Sequence, residues 1–426
     1  MTVPPEVLGD ALSRDGIETL REGRLVIACP RSERQIKALL TRAGRDGLRV
    51  VPAGLLSKIS GLRPEVMEGD VDLVLSLRNL SKVIDFVPGD GTLTAQAGCI
   101  WSDLGRTVRE SGLQLPTDMP LPSRTTLGGA LASGMSGPDR LRRGPLRHHV
   151  LGAHVILSDG TRAKSGGRLV KNVTGFDLHR LYTGSRGTLC VLIEASLRLF
   201  PTPEETCALT RPCADAAEAF QLAEDLRRRH VDPLSVTIEG GAREPWRLHV
   251  VLVGRQVELP SALARASEVL GDAERLEGAD AHNLRAELRD RVCHGGAWAQ
   301  LRLSGPPART HLAHAMLARF LGNDPLWRVV AQPGVASLEV FAPTLAAHTV
   351  ADQIALLNDL RATLTDSGHR LEPIALPGAT HLGLAADLAG DPARRWMRNL
   401  QRRYDPLGRF TCPSYPGRAP TLGATS

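Results

Sequence analysis

The residues best suited to chemistry lie between Thr125 and Pro203. The run Thr125-Thr126-Leu127-Gly128-Gly129-Ala130-Leu131-Ala132-Ser133-Gly134-Met135-Ser136-Gly137-Pro138 holds four glycines, one proline and six small residues of the Ala, Ser and Thr types. Such a backbone is nearly bare, so its N–H groups can turn toward one anionic or planar polar ligand. The run therefore reads as a ligand-binding loop rather than a core element. A second turn, Gly184-Ser185-Arg186-Gly187-Thr188-Leu189, precedes the apolar run Cys190 to Leu199. No Lys-Ser/Thr pair follows Gly129, Gly134 or Gly137, which excludes a P-loop, and the three-glycine Rossmann spacing is absent. Nucleoside triphosphates and Rossmann-bound nicotinamides are disfavoured accordingly.

Four segments in order resemble the FAD-binding domain of the vanillyl-alcohol-oxidase (PCMH-type) flavoproteins. They are Leu127-Gly128-Gly129 through Ser136-Gly137-Pro138, Val150-Leu151-Gly152, Val170-Lys171-Asn172-Val173-Thr174-Gly175-Phe176-Asp177-Leu178, and Gly184 to Leu189. Within that superfamily the pattern is most similar to the FAD-binding subunits of glycolate oxidases. The resemblance implies non-covalent FAD held by Gly54, Ser57, Lys58, Ser60 and Gly61 of one loop and by Thr125, Leu127, Gly128, Gly129, Ser133, Gly134, Ser136 and Gly137 of the next. Asn172, Gly175, Asp177, Gly184, Gly187 and Thr188 would complete the pocket.

A 2-hydroxy acid such as glycolate or lactate would then pass hydride to the flavin, which needs a cation for the carboxylate and a base for the hydroxyl. Arginines such as Arg143 and Arg147 are available, but no residue stands out as the base. The family also implies a homologous flavin subunit and an iron–sulfur subunit as partners. Three departures stand out: Leu55 and Leu56 replace glycines usual in the first loop, Cys190 replaces another, and the ending Thr411-Cys412-Pro413 is altered. A left-handed backbone at either leucine would cost about 1–2 kcal/mol. Three readings stay open: an FAD-binding oxidoreductase subunit, an assembly subunit with a degenerate flavin loop, and a self-sufficient flavin enzyme acting on another alcohol.

Composition sets outer limits. A chain of 426 residues is long enough for two domains, and 42% hydrophobic with 23% charged residues is ordinary for a globular protein. The net charge of +6 is mild, and 4% aromatics offer no stacking platform for nucleic acid. Seven cysteines form no CxxC pair or iron–sulfur run, so they read as small buried hydrophobes, and no metal site is expected. Neither a ~20-residue apolar span nor a secretory start is visible. The expected location is the cytoplasm, or the membrane periphery through a complex.

Stepping outward to the supporting elements, the spacing predicts an amphipathic helix over 30–48, a strand over 48–52, and a helix over 102–111 capped by Ser102. Hairpins are expected at 83–97 around Pro88-Gly89-Asp90-Gly91 and at 155–164 around Asp159-Gly160. The strand from Cys190 to Leu199 closes this part before Pro201-Thr202-Pro203. Alternating helices and strands then run to about residue 395, with His249 and His381 read as structural. The expected fold is α+β: a PCMH-type FAD-binding domain over 1–203, made of a small parallel α/β subdomain and a larger mixed or antiparallel sheet. An α+β cap or substrate domain over 204–395 follows, then a segment 396–426 that returns to the first domain and ends in a disordered tail.

Overall fold

The computed structural model describes residues 4–22, 25–57, 71–168, 176–293, 299–321, 326–342, 349–375 and 392–410. Lys58, Ser60, Gly61, Asn172, Gly175, His381 and Cys412 lie outside them. The chain divides into two compact units: Met1–Ser136 with Pro145–Thr202 and Ala385–Ser426, and Gly137–Gly144 with Pro203–Leu384.

The first unit contains two principal sheets. Strands β1 (Glu18–Glu22), β2 (Leu25–Cys29), β3 (Val50–Ala53) and β4 (Leu73–Ser76) are ordered β1-β2-β4-β3, with β4 parallel to both β2 and β3 and β1 an antiparallel edge. The intervening helix Glu33–Arg45 starts at Ser32, whose side chain accepts the Gln35 amide. It buries Ile36, Leu39, Leu40 and Ala43, the stripe that the 3.6-residue period requires. The second sheet is wholly antiparallel, ordered β5 (Val83–Val87), β6 (Thr92–Gln96), β10 (Val191–Arg198), β8 (Val150–Ile156), β9 (Arg162–Gly166). A short β7 (Leu113–Gln114) pairs with β11 (Phe200–Pro201). Both expected hairpins form; the expected helix is Trp101–Arg109, but Ile100 stands at its N-cap and Ser102 caps nothing, because the helix begins one residue before it.

The C-terminal segment belongs to this unit. The Val50 amide donates to the Arg409 carbonyl, and buried Asp405 accepts the Phe410 amide at 2.6 Å. The Asp405-Pro406-Leu407-Gly408 turn is thereby closed by its own first side chain, leaving Phe410 in the core.

The second unit is one eight-stranded antiparallel sheet. Its strands are β12 (Glu205–Cys213), β13 (Ser235–Gly241), β14 (Trp246–Gly254), β15 (Glu274–Glu277), β16 (Ala299–Ser304), β17 (Arg328–Gln332), β18 (Ser337–Ala342) and β19 (Arg370–Ala375), in the order β15-β12-β14-β13-β17-β18-β16-β19. One face packs Leu209, Ile238, Leu248, Val250, Leu301, Val329 and Val340 against helices that include Ala216–Arg228, Leu259–Leu270, Thr310–Leu321 and Val350–Asp366. The two units together give the α+β class expected from the sequence.

His314 in this core has a measurable consequence. Its ring lies 5.1 Å from that of Trp246 and 5.5 Å from that of Phe220, and its Nε2 has no partner among the described residues. Burial pulls its pKa down to about 4. A histidine buried neutral binds fewer protons than the unfolded chain between pH 6.5 and 4, so stability is full above that window and falls as pH drops through it. The loss approaches roughly 3 kcal/mol. We expect acid unfolding curves to flatten over this window in His314→Phe, which keeps an aromatic ring and removes the titration.

Candidate functional site

The glycine-rich run is organised differently from the open loop its composition suggests. Leu127–Ser133 is a short helix: the Thr126 side chain caps it by accepting the Gly129 amide at 3.1 Å, and Gly134 ends it in the left-handed region at φ 63°. Its first amides are consumed within the protein, Leu127 donating to Cys99, Gly128 to Ala97 and Ala130 to Thr126. Leu127, Ala130 and Leu131 sit in the core at helical spacing. The expectation of bare amides over 128–137 is corrected where this helix forms. Small residues here let the helix lie close to neighbouring backbone, as a Cβ on Gly128 would come to 2.8 Å from the Ala97 Cβ.

Two further segments meet this helix. The Gly184 amide donates to the Leu131 carbonyl and the Arg186 amide to that of Ala132, both at 2.8 Å, so the 184–188 turn docks on the helix C-terminal end. A Cβ on Gly134 would stand 3.0 Å from the Gly184 Cα. On the other side, a Cβ on Gly54 would fall well under 3.0 Å from Thr126 Oγ1, and one on Gly187 would press on the Pro52 carbonyl at 3.3 Å. The Gly54 carbonyl is held by Ser76 Oγ at 2.8 Å. The end of β3, the cap of the 127–133 helix and the 184–188 turn thus converge.

Of the residues singled out from the sequence, Gly54, Leu127, Gly128, Gly129, Gly134, Gly184 and Gly187 belong to this convergence. Gly54, Gly129, Ser133 and Thr188 are half-buried, while Gly134 and Gly184 are exposed, which leaves a polar, nearly side-chain-free strip along it. Ser57 is half-buried two residues beyond Leu55 in the same loop as Gly54. Thr188 Oγ1 donates to the Ser185 carbonyl and closes the turn. Ser133 Oγ donates to the Ala130 carbonyl, and Ser136 Oγ accepts the Leu146 amide.

Other positions turn out differently. Thr125 is buried with its hydroxyl donating to the carbonyls of Pro120 and Leu121, so it serves the loop before the helix while Thr126 makes the cap. Gly137 is counted with the second unit, where its carbonyl accepts the Arg140 amide. Asp177 is exposed at the start of the helix Leu178–Tyr182 and pairs with Arg180 at 3.2 Å. Sequence reasoning missed Ser185, whose buried Oγ has no partner among the described residues. A hydroxyl between two glycines in a tight turn was the available signal.

Leu56 has φ 61° and is 3% exposed, whereas Leu55 has no positive φ. Only the second leucine carries the left-handed cost, about 1–2 kcal/mol, and full burial of a leucine offsets it with about 2–3 kcal/mol. Its neighbours are Ile27, Val51 and Val74 on the small sheet. We expect Leu56→Ala to lose about 2–5 kcal/mol and Leu56→Gly to lose about 1–2 kcal/mol less, since glycine is free of the strain. Urea midpoints of the two variants check the order, which is the reverse of that in a helix.

In the second unit, the sheet face opposite its main core carries two smaller apolar clusters, Ala208 and Val251 with Ala281 and Leu288, and Val330 with Phe341, and between them buried polar groups. His249 holds three strands together, with Nδ1 at 3.0 Å from Thr210 Oγ1 and Nε2 at 3.3 Å from Glu239 Oε1. Burial alone would raise the Glu239 carboxyl, but the His249 hydrogen bond and nearby Arg291 outweigh it and hold the group below the usual range. Both ring nitrogens of His249 are engaged, as suits a structural histidine. Among the described residues no group of three or more His, Cys, Asp or Glu side chains is arranged to hold a metal.

Residues that fit FAD are present in the first unit. The polar strip lacks side chains that would block a dinucleotide, and a Cβ at Gly184 would meet nothing within 4 Å. The orphaned Ser185 hydroxyl offers a hydrogen bond to a guest. Residues 25–166 match the FAD binding domain family. Over 248 residues the chain is 33% identical to a D-2-hydroxyglutarate dehydrogenase of Xanthomonas citri pv. viticola, covering 55% of this chain and 51% of that protein. It is 30% identical over 210 residues to glycolate oxidase subunit GlcD of Bacillus subtilis, covering 49% and 44%.

The chain spans about half the length of these curated relatives. Among solved structures, p-cresol methylhydroxylase with substrate bound superposes with a TM-score of 0.69 at 14% identity, covering 90% of this chain and 87% of that one. A chitooligosaccharide oxidase gives 0.66 at 16%, covering 96% and 98%. Residues 25–166 thus carry an FAD binding domain, and the chain shares the fold of these two solved structures.

Proposed function

We propose that the protein is an FAD-dependent oxidoreductase of 2-hydroxy acids. The observation that carries this reading is the convergence of Gly54, the Thr126-capped helix and the Gly184–Thr188 turn inside a region matching an FAD binding domain. Relatives named as a D-2-hydroxyglutarate dehydrogenase and a glycolate oxidase subunit support the substrate class. Gly54, Ser57, Gly129, Ser133, Gly134, Ser185 and Thr188 would line the cofactor, and FAD would supply the hydride acceptor. Residues 204–395 would supply the groups that hold the substrate.

In its finer form the reading is an FAD-binding subunit of a glycolate-type oxidase, working in the cytoplasm with a homologous flavin subunit and an iron–sulfur subunit that takes the electrons. Cys29, Cys99, Cys190 and Cys207 are buried, and burial raises each thiol pKa, as suits small core residues rather than redox thiols. A second reading, an assembly subunit with weakened flavin binding, is favoured by Leu56, whose side chain occupies the core beneath the first loop.

The visible spectrum separates the two. Purified protein with flavin absorption, FAD released on denaturation, and bleaching by glycolate, lactate or 2-hydroxyglutarate supports the oxidoreductase. A colourless protein that FAD does not reconstitute rejects it in favour of the assembly role.

A further inference from the structure

The helix Pro392–Tyr404 has the sequence PARRWMRNLQRRY, with five arginines and no acidic residue in thirteen positions. At 100° per residue, Trp396, Leu400, Tyr404 and Met397 fall on one narrow stripe, with arginine around most of the remainder. The two ends of that stripe have different fates. Toward the C-terminus Leu400 and Tyr404 are half-buried. The Tyr404 ring stands 6.1 Å from that of Tyr182, its carbonyl accepts from Ser158 Oγ, and Gln401 Nε2 donates to the Phe410 carbonyl. Toward the N-terminus every residue from Arg395 to Asn399 is exposed, including Trp396 at 71% and Met397 at 63%.

A tryptophan and a methionine left in water on a helix whose charged residues are all cationic fit one kind of surface. We propose that this helix docks on an anionic lipid bilayer. The indole and thioether would enter the headgroup–acyl boundary, and Arg395, Arg402 and Arg403 would reach the lipid phosphates. With no acidic side chain on the helix, nothing on it repels those phosphates. The proposed contact is with the bilayer surface; among the described residues no helix is long and apolar enough to span. An acidic protein surface is the rival occupant. It would match the arginines, but the stripe offers it only two exposed apolar side chains, whereas an interfacial helix needs no deeper pocket.

Three surface arginines at about 1 kcal/mol each imply roughly a 100-fold preference for anionic over zwitterionic membrane. The full chain, with FAD added, is sedimented with phosphatidylcholine vesicles and with vesicles containing about 30% phosphatidylglycerol at about 0.1 M salt, where screening is moderate. We expect binding to the anionic vesicles only, weakened at least tenfold by Trp396→Ser and abolished by Arg395→Glu/Arg402→Glu/Arg403→Glu. The triple lysine variant at the same positions should retain it. Circular dichroism and melting of each variant distinguish lost binding from lost folding. No preference for anionic vesicles, or a preference that the folded glutamate variant keeps, overturns the proposal. Failure to bind vesicles alongside salt-sensitive association with an acidic protein also overturns it and leaves the rival occupant.

Discussion

A Gly54→Val variant is expected to purify without flavin. The added Cβ alone would collide with Thr126 Oγ1, and valine's two methyl groups leave the pair no rotamer in which both fit. Thr126 must then turn away from the Gly129 amide, surrendering an N-cap worth about 1 kcal/mol, while overpacking adds about 1–3 kcal/mol. Because the strain falls where the proposed cofactor strip begins, an FAD affinity some 30- to 1,000-fold weaker is expected. The ratio of flavin to protein absorbance, followed during FAD titration, checks it. Gly47→Ala serves as a control, since a Cβ there meets nothing and only the left-handed φ of 67° is strained. Equal flavin retention in both variants would sink the assignment of this strip.

The second large effect is expected at Arg285. Asp139 is fully buried, and both its oxygens are held by Arg285, through Nε at 3.2 Å and through Nη2, with Arg143 at 3.9 Å. Removing Arg285 leaves the buried carboxylate with Arg143 at 3.9 Å in place of a bidentate partner, and breaking a buried pair in this way costs up to about 3–5 kcal/mol. Arg285→Ala should therefore lower the melting temperature by about 10 °C in a unit of this size. The double change Asp139→Leu/Arg285→Met removes both charges and should recover most of the loss, which a differential scanning experiment on the two variants tests. A drop as large in the double variant as in the single would show that packing, and not the uncompensated carboxylate, is at stake.

Legibility in the sequence followed the strength of local signals. The helix at 33–45, β3 and the strands at 83–87, 92–96 and 191–198 rest on apolar periods of 3.6 and 2 and were readable within about three residues, whereas β2 and β4, short and buried on both faces, were not predicted. The 127–133 helix has no such signal, because three of its seven residues are Gly or Ser and glycine lowers helix propensity. It is found only by noticing Thr126 as a cap and Gly134 as a stop. Leu55 and Leu56 look alike in sequence, and only the three-dimensional neighbours of Leu56 reveal which one carries positive φ. The antiparallel edge strand β1 and the terminal helix at 392–404 were also missed. In β1 the alternation is short and charged, and in the helix arginines swamp a stripe of four apolar residues.

The allocation of Gly137–Gly144 to the second unit has a consequence for synthesis. The chain leaves the first unit after Ser136, comes back at Pro145, departs again after Thr202 and returns at Ala385. Neither unit can be finished by a contiguous stretch of nascent polypeptide. Asp139 must wait on the ribosome for Arg285, and β3 for the Arg409 carbonyl, intervals of several seconds to about a minute at ordinary elongation rates. During that wait the Asp139 carboxylate has Arg143 but not its bidentate partner, and the β3 edge of the small sheet stays open.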